Sequence, residues 1–199
     1  EGRAKDSDDR TQEALLKMMA MGGEGTPLER IKSLNLVPLS ISYEYDPCDF
    51  LKAKEFQQKR DIEGFKKSKQ DDLDNMRTGI FGYKGRVHYC AAAPVNTWID
   101  SLADLPKADF FKALAEGIDR AIHSGYLITP GNCVAADELA GEERYVGNGY
   151  TPEQKAAFDK YIDERLALID LPNKDEAFLR RMMLEMYANP LKNYEAARR

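Results

Sequence analysis

The side chains that most often carry chemistry are scarce in this chain. His88 and His123 are its only histidines, and Cys48, Cys90 and Cys133 its only cysteines. The three cysteines lie far apart with no C-x-x-C pair, and His88 and Cys90, two residues apart, are the one close pair among these five side chains. A zinc or iron centre needs three or four such ligands at close spacing, so the pattern argues against a metal site. An odd number of widely spaced cysteines reads as reduced thiols rather than a disulfide framework. His88 with a carboxylate such as Glu44 or Asp46 would supply a base and its orienting group. No nucleophile at a matching spacing completes that arrangement.

The elements that would position such groups must come from 199 residues, of which 43% are apolar. That is enough for the core of one domain, or of one domain with a small appendage. The formal charge is -5 and the isoelectric point about 5.2. No global basic field therefore draws the chain to nucleic acid or to an anionic membrane, so any such contact must come from a local patch, and no nucleic-acid partner is expected. No run approaches the roughly 18–20 apolar residues of a spanning helix. The chain opens Glu1-Gly2-Arg3-Ala4-Lys5-Asp6, with neither a methionine nor a signal-peptide pattern. An incomplete or processed start is the expectation.

Leu15, Leu16, Met18 and Met19 fall near helical spacing before Gly22-Gly23, and a short helical stretch follows at 28–34. From Leu39 to Tyr43 apolar and polar residues alternate, which predicts a strand, with Pro38 at its start. Asp46-Pro47 predicts a helix with Asp46 as cap and Pro47 in its first position. Residues 59–79 are crowded with charge and predict a solvated helical excursion. A second strand is expected over Gly85–Cys90, placing His88 on the face opposite Val87 and Tyr89. Phe110, Leu114, Ile118 and Ile122 share one helix face that Gly125 ends, and Thr151-Pro152-Glu153-Gln154 is a capping box. Phe158, Ile162, Leu166 and Ile169 continue at core spacing. A last helix groups Phe178, Met182 and Met186 and is expected to stop at Asn189-Pro190.

Three segments stand in order: Glu1-Gly2-Arg3-Ala4-Lys5-Asp6, Val37-Pro38-Leu39-Ser40-Ile41-Ser42-Tyr43-Glu44, and Gly85-Arg86-Val87-His88-Tyr89 running on to Ala93-Pro94-Val95. Together, over about residues 1–140, they resemble the later motifs of the glycerol-3-phosphate and 1-acylglycerol-3-phosphate acyltransferases. That family has a Glu-Gly-(Thr or Gly)-Arg-Ser loop, a strand opening Val-Pro or Ile-Pro, and a Gly-x-Val-x-Val strand ending in Pro-Ile or Pro-Val. The loop here is one residue shorter than the Glu-Gly-Thr-Arg-Ser form. The Ile-Ser-Tyr-Glu ending looks more like the glycerol-3-phosphate branch.

The resemblance implies an α/β fold: a partial mixed or parallel sheet flanked by helices, with a helical carboxy-terminal extension. Residues 1–140 would be the carboxy-terminal part of the acyltransferase domain and 141–199 the extension. It further implies transfer of a fatty acyl group from acyl-CoA or acyl carrier protein to a glycerol phosphate, with no cofactor, at the cytoplasmic face of a membrane reached through the parent protein. Arg3 would hold the acceptor phosphate, because a guanidinium fork matches two phosphate oxygens. Gly2 would let the backbone approach, Lys5 would add charge, and Glu1 would hold the loop. Pro38, Ser40 and Tyr43 would line the acyl side, with Ser42 a further polar position on that strand. The family's base is the histidine of a His-x-x-x-x-Asp motif. Five residues after His88 and His123 stand Ala93 and Ile128, so the base is expected upstream of Glu1 and this piece alone is expected to be inactive. The rival expectation is a non-catalytic α/β or helical interaction domain. Its support is the charged tail over 151–199, although Arg180-Arg181 and Arg198-Arg199 read more readily as a solvated helix face and a frayed end.

Overall fold

The computed structural model describes residues 10–22 and 24–199. Among them are eight α-helices and one two-stranded sheet. In chain order these are α1 (Glu13–Met19), α2 (Pro27–Leu34), β1 (Leu39–Tyr43), α3 (Asp49–Asp61), α4 (Lys69–Phe81), β2 (Val87–Ala91), α5 (Lys107–Ser124), α6 (Pro130–Ala140), α7 (Pro152–Ala167) and α8 (Glu176–Ala197). The four best-marked helix starts are capping boxes, at Thr26/Glu29, Ser68/Asp71, Thr129/Asn132 and Thr151/Gln154. At Thr26, Ser68 and Thr151 the cap side chain takes a backbone N–H that the helix leaves unpaired, and in all four the third residue's side chain accepts from the cap N–H.

The strands pair antiparallel, not in the parallel or mixed sense expected. Glu44 N–H donates to the Arg86 carbonyl at 2.9 Å, Tyr45 N–H to the Lys84 carbonyl at 3.0 Å, and Ala92 N–H to the Pro38 carbonyl at 2.9 Å. The reason lies in the connection. One crossover helix would carry the chain to the far end of β1, as in a parallel unit. Here two helices of equal length, α3 and α4, bring it back to the end it left. This register sets Cys90 opposite Ser40 and His88 opposite Ser42.

The chain divides into two compact units. The first holds Tyr43–Val87 and Ile128–Lys192. Its core gathers Val134, Phe158, Ile162, Leu179 and Met183, all nearly or fully buried. The expected boundary at 140/141 falls inside this unit, where α6 packs on α7. The sequence reads as helical through the second half of the chain but marks no particular helix at 130–140. The apolar residues there form no stripe, because α6 is buried on several sides, with Asn132 and Asp137 buried beside Cys133, Val134 and Ala135. The α8 core stripe is Leu179, Met183, Met186, Tyr187 and Leu191, one residue on from the expected Phe178 and Met182. The helix also runs past Pro190 to Ala197 instead of stopping there. The burial of Leu191 keeps the chain on its helical path where proline removes one backbone donor.

The second unit comprises the described residues up to Ser42, His88–Leu127 and Asn193–Arg199. Its core is built from Leu16, Ile31, Val95, Ile99, Phe110 and Leu114. Gly125 follows α5 as expected, but its φ of -88° is not left-handed. A Cβ there would meet Ser40 Oγ at 2.5 Å, so close approach of β1 is what excludes a side chain.

Candidate functional site

Glu1, Gly2, Arg3 and Lys5, the expected phosphate loop, lie outside the described residues. The strand residues can be placed. Pro38 and Ser40 are buried, whereas Tyr43 is exposed. Successive side chains on a strand point to opposite faces, so Tyr43 shares its face with Leu39 and Ile41, not with Ser40. The two serines are also occupied. Ser40 Oγ donates to the Ile122 carbonyl at 2.5 Å, and Ser42 Oγ accepts from Leu127 N–H at 3.0 Å. They tie β1 to the end of α5 and the loop after it. Strand alternation thus separates the residues expected to line one pocket.

The ribbon has an unusual polarity. Leu39, Ile41 and Tyr43 on β1, and Val87 and Tyr89 on β2, are all exposed. Ser40, Ser42, His88 and Cys90 take the other face, buried or half-buried, as the alternation predicts for His88. The carboxylates weighed as partners of His88 are engaged by other groups. Glu44 accepts from Arg86 N–H at 2.9 Å, and Asp46 pairs with Lys52 and accepts from Cys48 N–H at 2.8 Å. Asp46 therefore shapes the turn before α3, which starts two residues later than Pro47.

Comparison with family models, with characterised proteins and with solved structures finds no match.

The most concentrated chemistry in the described residues is a cluster that the sequence reading missed. Asp49, in the first turn of α3, is fully buried. Its carboxylate accepts from Tyr161 Oη at 2.6 Å, Tyr187 Oη at 2.9 Å, Arg165 Nε at 2.7 Å and Phe50 N–H at 2.6 Å. Arg165 Nη2 donates to the Pro47 carbonyl at 2.5 Å, and its guanidinium lies 4.4 Å from the centre of the Phe50 ring. Tyr187 Oη also accepts from Asp46 N–H at 3.0 Å. The visible signal is Tyr161 and Arg165, four apart on one face of α7. Nothing in the sequence pairs them with a residue more than a hundred positions earlier.

Burial pushes the Asp49 carboxyl above the usual carboxylate range, with Arg165 and the hydrogen bonds pulling it back. Burial alone would lower Arg165, but Asp49 beside it holds it above its ordinary value. Burial, then the Asp49 charge, pushes both tyrosines up, so they stay protonated as donors. Nearby Cys48 is no activated thiolate: burial and then Asp46 raise it, and Sγ lies 3.4 Å from the Asn75 carbonyl. With four donors on one carboxylate, the cluster clasps α3, α7 and α8 together and leaves no group poised to attack a substrate.

Asp137 plays a similar part at the end of α6. It accepts from Arg144 N–H at 3.1 Å, Tyr145 N–H at 2.9 Å and Tyr150 Oη at 2.9 Å, shaping the loop ahead of α7. Of the tail arginines, Arg180 pairs with Glu138, Asp159 and Asp163, and Arg181 with Glu185, whereas Arg198 donates to the Tyr194 hydroxyl. Among the described residues there is no group of ligands that could hold a metal ion, and no helix is long and apolar enough to cross a membrane.

Proposed function

We propose that this chain is part of an acyltransferase that moves a fatty acyl group from acyl-CoA or acyl carrier protein to a glycerol phosphate in phospholipid synthesis, at the cytoplasmic face of a membrane. The observation that carries the proposal is the ordered trio of motifs at residues 1–6, 37–44 and 85–95. The exposed apolar face of the ribbon supports it, since Leu39, Ile41, Tyr43, Val87 and Tyr89 offer the surface an acyl chain needs. In this reading Arg3 and Lys5 hold the acceptor phosphate, Glu1 and Gly2 shape the loop, and Tyr43 contributes to the acyl side. Pro38 and Ser40 position the strand from behind. The base is not supplied by His88 or His123, neither of which is followed at the fifth position by aspartate.

The test is acyl transfer by the native gene product. Purified protein is incubated with acyl-CoA and glycerol-3-phosphate, and thiol release is followed. Transfer is expected, with Arg3→Ala lowering kcat/KM for the glycerol phosphate by roughly ten- to over a hundredfold, the worth of a charge-assisted hydrogen bond. Arg3→Lys is expected to recover part of that loss. The isolated 199-residue chain is expected to show none. Absence of transfer from the gene product, or transfer by the isolated chain that vanishes in His88→Ala, overturns the assignment.

A second reading, a non-catalytic interaction module, is favoured by one observation: α4 buries none of its residues and exposes apolar ones.

A further inference from the structure

Helix α4 is built inside out. The residues it turns toward the protein are small or polar. Asn75, Thr78 and Gly79 are half-buried, Gly79 leaves room for Cys48 Sγ at 3.5 Å from where a Cβ would sit, and a Cβ on Gly82 would collide with Pro47 at 2.3 Å. Leu73, Met76 and Ile80, three and four positions apart, form a single stripe on the other side. That stripe is 59%, 62% and 63% exposed. Phe81 and Tyr83 extend it at the helix end, at 81% and 77% exposure. An isolated exposed leucine needs no explanation, but a contiguous stripe ending in two exposed aromatics marks an interaction surface.

The charges around this stripe select the occupant. From Asn75 to Lys84 the chain carries Arg77 and Lys84 and no acidic residue, within a protein of net charge -5, while Arg86 just beyond pairs with Glu44. Lys84 Nζ donates to the Ile80 and Gly82 carbonyls at 3.1 and 3.0 Å, which fixes a cation at the tip beside Phe81 and Tyr83. The aspartates of α4 sit in its first half. Asp71 is engaged in the Ser68 capping box, and Asp74 accepts from Gln70 at 3.0 Å. By helical spacing Asp71 and Asp74 lie away from the stripe, and Asp72 stands at its rim. Exposed aliphatic side chains, aromatics at one end and the cations Arg77 and Lys84 beside them, with the acids confined to the first half of the helix, match the interface of an anionic bilayer, where acyl chains take the apolar stripe and headgroups take the cations.

We propose that α4 and its tip, from Leu73 to Lys84, lie in the plane of a membrane surface bearing anionic lipid. The stretch that charge alone assigns to solvent thus becomes the membrane-contacting element of this unit. This goes beyond the acyltransferase proposal and does not depend on it, since vesicle binding is read without any acyl transfer.

The experiment is co-sedimentation of the purified protein with vesicles containing phosphatidylglycerol, against vesicles of phosphatidylcholine alone. The protein is expected to pellet with the anionic vesicles, less as salt is raised, and weakly with the neutral ones. Ile80→Glu and Phe81→Glu should each weaken binding at least tenfold, because each removes a large apolar side chain from the interface. Arg77→Gln should weaken it about fivefold, the usual worth of one basic residue at an anionic surface. Leu168→Glu, at an exposed apolar position outside α4, should leave binding unchanged. All four side chains are exposed, so circular dichroism should match the wild type. The proposal is overturned if the wild type ignores anionic vesicles, binds neutral ones equally, or loses nothing in Ile80→Glu and Phe81→Glu. It is equally overturned if sedimentation equilibrium shows a dimer that Phe81→Glu dissociates, because a second copy would then cover the stripe.

Discussion

Replacing Arg165 by methionine tests the Asp49 clasp most sharply. Methionine keeps most of the aliphatic stem against Phe50 but removes the guanidinium, which makes a 2.7 Å ion pair to a carboxylate with no exposed surface. Removing one partner of a buried pair costs about 3–5 kcal/mol, because the other charge is left buried and unmatched. The two tyrosines and the Phe50 amide still donate to Asp49, so the lower end, about 3 kcal/mol, is expected at neutral pH. Burial already pushes the Asp49 carboxyl up, and without Arg165 it rises further. A carboxyl raised in the folded state favours folding below its unfolded value, about 4, and that contribution is lost as pH rises through the folded value. The penalty of Arg165→Met should therefore shrink on acidification, when Asp49 takes up a proton and needs no counter-charge. Asp49→Asn should be milder, since the amide keeps an acceptor for Arg165, whose side chain is 19% exposed and retains the Pro47 carbonyl. The double variant should be more stable than Arg165→Met alone. Urea unfolding followed by far-UV circular dichroism, at several pH values for all four proteins, measures this. Trp98, the only tryptophan, belongs to the other unit and is not the probe to use. Equal losses at acidic and neutral pH, or no recovery in the double variant, would refute the reasoning.

Two further expectations rest on packing and charge. Burial raises Glu55, but hydrogen bonds from Lys59 and Lys67, at 2.7 and 2.6 Å, more than offset it and hold the carboxyl below its usual range. Such a group stabilises the fold above about pH 4.5 and ceases to do so as pH falls through its lowered value. Glu55→Gln should then cost about 1 kcal/mol at neutral pH, after allowance for solvent screening, and nearly nothing at pH about 3, as thermal unfolding against pH will show. In α5, alanine for Gly117 would normally add up to about 1 kcal/mol of helix stability, but its Cβ would sit 2.5 Å from the Trp98 ring. Overpacking of about 1–3 kcal/mol should win, with a shift in Trp98 fluorescence, and a stabilised variant would show that the ring moves aside freely.

The features legible in the sequence are those set by neighbours along the chain. The Thr151 capping box, the alternation of β1 and β2 and the stripe of α5 are local patterns, and the structure has each of them. Features that depend on distant residues were not legible. Alternation is the same in a parallel and an antiparallel strand, so it could not fix the direction of pairing. The buried α6 has no solvent face and hence no period to read. The Asp49 cluster joins residues 49, 161, 165 and 187, which share no spacing rule.

The inverted polarity of β1 and α4 marks the same limit in a more instructive form. Period two and period 3.6 each divide a segment into two faces, and the usual step is to send the apolar face inward. That step assumes a thick core waiting to receive it. In β1 the inward face instead carries serines, short enough for Gly125 to come up against Ser40 and for two hydroxyl hydrogen bonds to hold the end of α5. In α4 Gly79, and Gly82 at its end, do the equivalent work against Cys48 and Pro47. Close backbone approach requires small side chains, and the large apolar ones are then left on the far side of the same element. Leu39, Ile41 and Tyr89 on the ribbon, and Met76, Ile80 and Phe81 on α4, are exposed for this reason. A pattern of small inward and large outward residues is therefore better taken as a sign of an outer binding surface than as a strand or helix placed the wrong way round.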